Sequence, residues 1–225
     1  MNTSPWWAAI VTLGIVAAYE GWLALAQRRH PQRLARSAHA SLREDWFAAI
    51  SAQPGSEILA VQTLRNSLMS ATMAASTAVL GLMGALSLTA PTLHATLGEV
   101  ATGIGASTGT GTTSWPHFTP RLAMELVLLC LLFASLVASV MAVRYYNHAG
   151  FVGGMPVGSP QRQRWAATGT AYVRKAGLLY SWALRQLMLL VPVVAFVLHP
   201  LAGVAGAMVM VVVLIQLDRF RIENE

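Results

Sequence analysis

The residues best placed to do chemistry in this chain are ionisable groups stranded among apolar ones. Glu20 is the only charged residue between Trp6 and Ala26, and it precedes Arg28 by two helical turns. Arg185 lies at the edge of a long apolar run, since Gln186 to Leu217 carries no charge at all. Arg65 enters the second apolar block, Arg144 leaves the third, and Asp218 ends the last. A charge in lipid is costly, so such groups face a bundle interior and pair with one another. Two kinds of chemistry follow. One is an ion-pair clasp between helices, with spare arginines snorkelling to phosphate. The other is a site that binds or gates an ion or an anionic headgroup, with Arg185 and Glu20 as its principal residues.

A second pattern is a face of small residues. Ser67, Ser70, Ala71, Ala74, Thr77, Ala78, Gly81, Gly84 and Ala85 recur at spacings of three and four. Small residues let helix backbones approach closely, so dry packing is one reading. The polar wall of a water-filled path is the other, with Ser67, Ser70, Ala74, Thr77 and Gly81 as the lining. Ala134, Ala138 and Ala142 repeat the pattern on the next block, with Ser135 and Ser139 beside them.

Catalytic chemistry finds little here. A nucleophile beside a base is not recognisable, and no G-x-S-x-G, H-E-x-x-H, P-loop or dinucleotide glycine motif occurs. The single cysteine, Cys130, excludes an intrachain disulfide and a thiolate zinc site. The six histidines show no close pairing at ligand spacing, and the ten methionines are scattered, as core gap-fillers are. No metal and no cofactor is expected, and the balance leans against an enzyme without deciding it.

These groups must be positioned by helices that cross a bilayer. Of 225 residues 55% are hydrophobic and 11% charged, against roughly 25% charged in a soluble globular protein. The apolar residues also fall in long blocks. The net charge of +6 belongs to segments flanking those blocks, which is the positive-inside pattern and not a nucleic-acid footprint.

Spans are predicted at about 6–26, 67–90, 122–143, 177–198 and 201–217. The first resembles a signal peptide at Ala24-Leu25-Ala26, but no basic stretch precedes it and Gln27-Arg28-Arg29 follows it. Those arginines hold its end in the cytoplasm, with Trp6 and Trp7 at the outer interface. The segment 91–120, rich in Gly and Thr and free of Lys and Arg until its end, reads as an external loop. The Arg-rich segments 27–65 and 144–176 read as cytoplasmic. One helix through 186–217 would be about 48 Å long, too long for a bilayer of about 30 Å. His199-Pro200 therefore predicts a hairpin of two spans and a cytoplasmic Asp218. A single span, making four in all, is the alternative.

Between spans, Ser41-x-x-Glu44 predicts a capping box. It would open a short amphipathic interfacial helix with Leu42, Trp46, Phe47 and Ile50 on one face. Pro54-Gly55-Ser56 should end it, and Ser56 cap a helix starting near Glu57. Gly153 to Pro160 reads as a turn cluster, with Ser159 as cap and Pro160 at the first helical position of the next helix.

The string Ile58-Leu59-Ala60-Val61-Gln62-Thr63-Leu64-Arg65-Asn66, followed by a small-residue span, resembles the signature of the DUF599 family (domain of unknown function 599), which includes bacterial and plant membrane proteins. Arg144-Tyr145-Tyr146-Asn147 is similar to the family's R-[FY]-x-N. The late Arg-containing helix, the His199-Pro200 break and the terminal run ending Leu217-Asp218 also fit. The resemblance covers nearly the whole chain. It implies the multi-span architecture, assigns no activity, and directs attention to Gln62, Arg65, Asn66, Arg144 and Asn147. A polar network of Arg65 and Asn66 with Arg144 and Asn147 is expected near the cytoplasmic interface.

The sequence thus predicts an all-α, polytopic transmembrane bundle in a bacterial inner membrane, with an external N-terminus. Five spans are few for a transport path, so a homo-oligomer in contact with membrane lipids is expected, without nucleic acid. A channel or small transporter ranks first, a structural or regulatory membrane protein second, and a membrane enzyme third.

Overall fold

The computed structural model describes residues 5–29, 35–105 and 118–218. They form seven helices: α1 (Trp6–Arg29), α2 (Ala35–Ala52), α3 (Glu57–Gly105), α4 (Pro120–Gly153), α5 (Pro160–Met188), α6 (Leu190–Leu198) and α7 (Pro200–Asp218). Five stretches are long and apolar enough to span a bilayer: α1, α3, α4, α5 with α6, and α7. The chain is a polytopic transmembrane helical bundle, and its outside carries apolar residues such as Met73, Leu80, Phe133 and Val209.

Helix α4 is the centre, with α3 packed on one flank and α5–α6 on the other; α7 folds back on α6, and α1 lies against α7. The α3–α4 contact is made by small residues. Ala71, Ala74, Ala78 and Ala85 are buried, and a Cβ on Gly81 would come within 2.8 Å of the Leu132 side chain. A polar rung joins α4 to α5, where the buried Ser135 hydroxyl donates to the Ala183 carbonyl at 3.0 Å. In lipid, contacts of this kind replace the hydrophobic drive that holds soluble helices together.

The terminal hairpin forms at His199-Pro200. His199 is extended (φ −155°, ψ 130°), as a residue before proline prefers. Gly203 lets α7 fold tightly onto α6, since a Cβ there would meet Phe196 Cβ at 2.6 Å. The hairpin returns Asp218 to the level of Arg185. At the opposite end Trp6 of α1 stacks on Phe118, just before α4, with centroids 5.8 Å apart. The bundle therefore has one end marked by Trp6 and Phe118 and a basic end marked by α2 and the start of α5.

The basic end departs from expectation in its details. Helix α2 starts at Ala35, six residues before Ser41, so no capping box opens it. Its buried residues are Ala40, Phe47 and Ile50, while Leu42 is 65% exposed. The face is selected by α5, on which α2 docks, and not by the membrane surface alone. Phe47 is fully buried against Gly169 and Val152. Helix α3 starts at Glu57 as predicted, after Gly55 in the left-handed region (φ 85°). Ser56, however, closes the preceding turn, donating to the carbonyls of Ile50 and Gln53 at 2.7 Å. Ser159 caps α5 as read, accepting from the Arg162 amide at 3.2 Å.

The other correction is at 91–120. Helix α3 runs through Pro91 to Gly105, where composition predicts a loop; residues 106–117 lie outside the described residues. A proline removes one rung of a helix that already has about nine turns behind it. Thr92, the next residue, is tied to α4, donating to Glu125 at 3.0 Å. Tertiary attachment outweighs the weak helix propensity of the Thr/Gly-rich stretch.

Candidate functional site

Three of the ionisable residues stranded in apolar sequence meet at one point. Arg185 of α5 donates through Nε to Glu20 Oε1 of α1 at 2.6 Å, and through Nη1 to Asp218 of α7, at 2.9 Å to Oδ2 and 3.2 Å to Oδ1. The Arg185 side chain is 5% exposed, Asp218 18% and Glu20 28%. Helical phase explains the meeting. Asp218 and Arg185 come level through the hairpin, and α1 presents Tyr19 and Glu20 toward that line. Tyr19 completes the wall: its hydroxyl donates to Asp218 Oδ2 at 2.5 Å, and the Arg185 guanidinium sits 5.4 Å from its ring centroid, a cation–π distance.

The guanidinium is used on two of its three edges. Nη2 is buried without a hydrogen-bond partner. A buried orphan donor costs about 1–3 kcal/mol, so the site is incompletely satisfied as it stands. Arg185 alone does not balance the two carboxylates. Arg36 of α2 is the nearest compensating cation, stacked on Trp182 at 4.9 Å. Burial lowers its pKa, the Arg185 charge lowers it further, and Asp218 and Glu20 oppose both. The arrangement can hold a proton or small cation against the carboxylates, or offer Nη2 to an anion or a carbonyl. Among the described residues no three His, Cys, Asp or Glu side chains converge as metal ligands do.

Arg65, Asn66, Arg144, Asn147 and Gln62 behave differently. All five are exposed, and among the described residues no hydrogen bond or ion pair joins the first four side chains. The expected network is corrected by azimuth. Helix α3 meets its neighbours through Ala60, Leu64 and Ala71, and α4 through Ala142, Tyr146 and Ala149. Residues 65 and 66, and 144 and 147, turn away from those faces.

The small-residue face of α3 divides. Ala74 is buried and Gly81 receives Leu132, whereas Ser70 and Thr77 are exposed and Ser67 is half-buried. The hydroxyls of Ser67, Ser70 and Thr77 donate to carbonyls four residues back, at 3.2, 3.1 and 3.0 Å. Gln62, Asn66, Ser70 and Thr77 form one outward line, on the flank of α4 opposite α1 and α7.

Two buried charged residues escaped the sequence reading. Glu125 of α4 is fully buried near the Trp6 end, accepting from Arg121 Nε at 3.0 Å and from Thr92. Its signal was Arg121-x-x-x-Glu125 at the mouth of an apolar block, the i,i+4 spacing of an ion pair. Arg162 at the start of α5 is buried beneath Phe47. It donates to the Val152 carbonyl at the end of α4 and to Ser51 Oγ of α2 at 2.9 Å. A cation at a helix C-terminus satisfies orphan carbonyls, so Arg162 fastens three elements.

No curated protein and no solved structure matches the chain. A family model does, that of the protein of unknown function DUF599, over residues 7–222, and the chain belongs to that family.

Proposed function

We propose that the protein is an oligomeric channel or small transporter for an ion or small solute, with Glu20, Arg185 and Asp218 as its charge-sensing element. The observation that carries this reading is a nearly buried guanidinium held by two carboxylates from two different helices, with one donor edge vacant. A clasp needs one acid per base. The second carboxylate is balanced only by Arg36 of α2, which stands outside the triad, so it is the one free to take a proton or cation, and the vacant Nη2 lets Arg185 exchange partners when one carboxylate is neutralised. Intramembrane carboxylate–arginine centres are suited to that role. The outward line of α3 supports assembly into a homo-oligomer, with Ser70 and Thr77 lining the path where copies meet and Ala74 and Gly81 holding that wall to α4. The Arg and Lys residues of the basic end support an inner-membrane orientation with that end in the cytoplasm and the Trp6 end outside.

A second reading is favoured by one observation. The triad joins α1, α5 and α7, so it also serves as a structural clasp in a regulatory membrane protein. Flux separates the two. Purified protein is reconstituted into vesicles loaded with a pH-sensitive dye, under a potassium or proton gradient. The transport reading expects dissipation above that of empty vesicles, altered in Glu20→Gln without loss of the oligomer. An intact oligomer that passes nothing would leave the clasp reading in its place. Cysteine scanning of 67–85 in a Cys130→Ala background adds the geometry: Ser70 and Thr77 should label with a water-soluble thiol reagent, and Ala71, Ala74 and Ala78 should not.

A further inference from the structure

At the basic end α2, α3, α4 and α5 enclose a cavity of about 290 Å³. Its apolar wall is Leu42, Trp46, Leu64 and Val173, and its polar wall is Arg43, Thr63, Ser67 and Tyr146. The volume is at the small end of the range for ligand pockets, and the mouth is open to one side. The depth is informative. Thr63, Leu64 and Ser67 lie where α3 enters its apolar block, and Tyr146 where α4 leaves its own. The cavity is therefore at the level of lipid headgroups.

Arg43 is its one charged group. The neighbouring Glu44 is engaged elsewhere, with Arg174 at 3.0 Å, and among the described residues no carboxylate pairs with Arg43. The guanidinium is nevertheless held in place. It lies across the backbone of Gly177 on α5, where a Cβ would come within 2.5 Å of Nη1 and 2.6 Å of Cζ. A half-buried cation is thus fixed beside hydroxyl groups, with an apolar wall on the other side and no protein anion to neutralise it. That combination matches an amphiphile with an anionic head. Phosphate oxygens accept bidentate bonds from a guanidinium, and the first methylenes of an acyl chain fit against Leu42, Trp46 and Val173.

We propose that this cavity is a binding site for an anionic phospholipid, with its phosphate on Arg43 and its chain leaving past Leu42 into the bilayer. The exposed Leu42, which faces neither α5 nor the bundle core, is accounted for as part of that wall. The site is independent of the Arg185 centre and of any transport role.

The test uses purified full-length protein in detergent, titrated with short-chain phosphatidylglycerol, short-chain phosphatidylcholine or inorganic phosphate, with thermal unfolding and native mass spectrometry as readouts. Phosphatidylglycerol should raise the melting temperature saturably and give a one-to-one adduct. Phosphatidylcholine and phosphate should do neither at matched concentration. Arg43→Gln should weaken the phosphatidylglycerol effect at least about tenfold, the loss of one charge-assisted contact. Arg164→Gln, an exposed cation on the same end, should leave it unchanged. If Arg43→Gln does not fold, Thr63→Phe fills the cavity from an exposed position on α3 and should abolish the adduct. Equal stabilisation by phosphatidylcholine, an equal effect of free phosphate, an undiminished phosphatidylglycerol affinity in Arg43→Gln, or an adduct that survives Thr63→Phe would overturn the proposal.

Discussion

Replacing Arg185 with methionine is the most informative single perturbation. The guanidinium makes three contacts, at 2.6, 2.9 and 3.2 Å, with two carboxylates that are 28% and 18% exposed. Removing it leaves those carboxylates close together with no cation between them. Breaking one buried pair costs about 3–5 kcal/mol. Glu20 retains some access to water, which screens part of its share, so a loss of about 3–4 kcal/mol is expected. For a bundle of this size that lowers Tm by on the order of 10 °C. Glu20→Gln keeps the Asp218 pair and loses one charge-assisted bond, about 1.5–3 kcal/mol. The triple change Glu20→Leu, Arg185→Met and Asp218→Leu removes every charge together and should melt near wild type, because apolar replacement of a buried ion cluster is often neutral. The assay is thermal unfolding of the detergent-solubilised protein. A melting curve for Arg185→Met that superposes on wild type, or a triple variant less stable than Arg185→Met alone, would refute the electrostatic argument. A stable triple variant also carries the functional question forward: it should have lost whatever flux the wild type supports.

Other expectations follow from the packing. Phe47→Ala should cost about 3–5 kcal/mol and expose α2 to limited proteolysis, since that ring is the anchor of α2 on α5. Gly81→Leu should destabilise by about 1–3 kcal/mol through overpacking against Leu132, measured by Tm, whereas Gly84→Leu, with open space around it, should be silent. With Cys130→Ala as background, only one of Phe118→Cys and Gln161→Cys should label in intact cells with an impermeant thiol reagent, the other requiring permeabilisation; labelling of both in intact cells would overturn the arrangement of α4 and α5.

The number of apolar spanning helices was legible in the sequence, and azimuth around each helix was not. Apolar blocks, His199-Pro200 and Ser159-Pro160 placed the spans, the hairpin and the start of α5, because each is a local effect of hydropathy or backbone chemistry. Glu20, Arg185 and Asp218 stood out for the same reason. Whether two residues at one depth meet depends on which faces the helices turn toward each other. Arg65 and Arg144 point outward and also lie nearer the basic end than Arg185, since Ala183 is level with Ser135 and Gly81 with Leu132, while Tyr19 and Arg36, unremarkable in sequence, point in. The face of α2 was misread through Leu42, since docking on α5 chose Phe47 and Ile50. The Thr/Gly-rich continuation of α3 looked like a loop because its composition is that of one; Thr92 on Glu125 is a contact between residues 33 apart, outside the reach of any local pattern.

The unbroken run of α3 has a mechanical side. Its 49 residues make a rod about 73 Å long at 1.5 Å per residue, more than twice the thickness of a bilayer core of about 30 Å. The stretch from Thr63 at the headgroup cavity to Thr92 at the Glu125 tie is about 43 Å of continuous helix. A tilt of this rod on α4 would move its two ends in opposite directions, as the arms of one lever. A tilt of about 5° displaces points that far apart by roughly 4 Å relative to each other, and Pro91 supplies the joint at which the outer arm bends. Spin labels at Thr63 and Thr96 referenced to α4 would register such a tilt as paired changes of opposite sign.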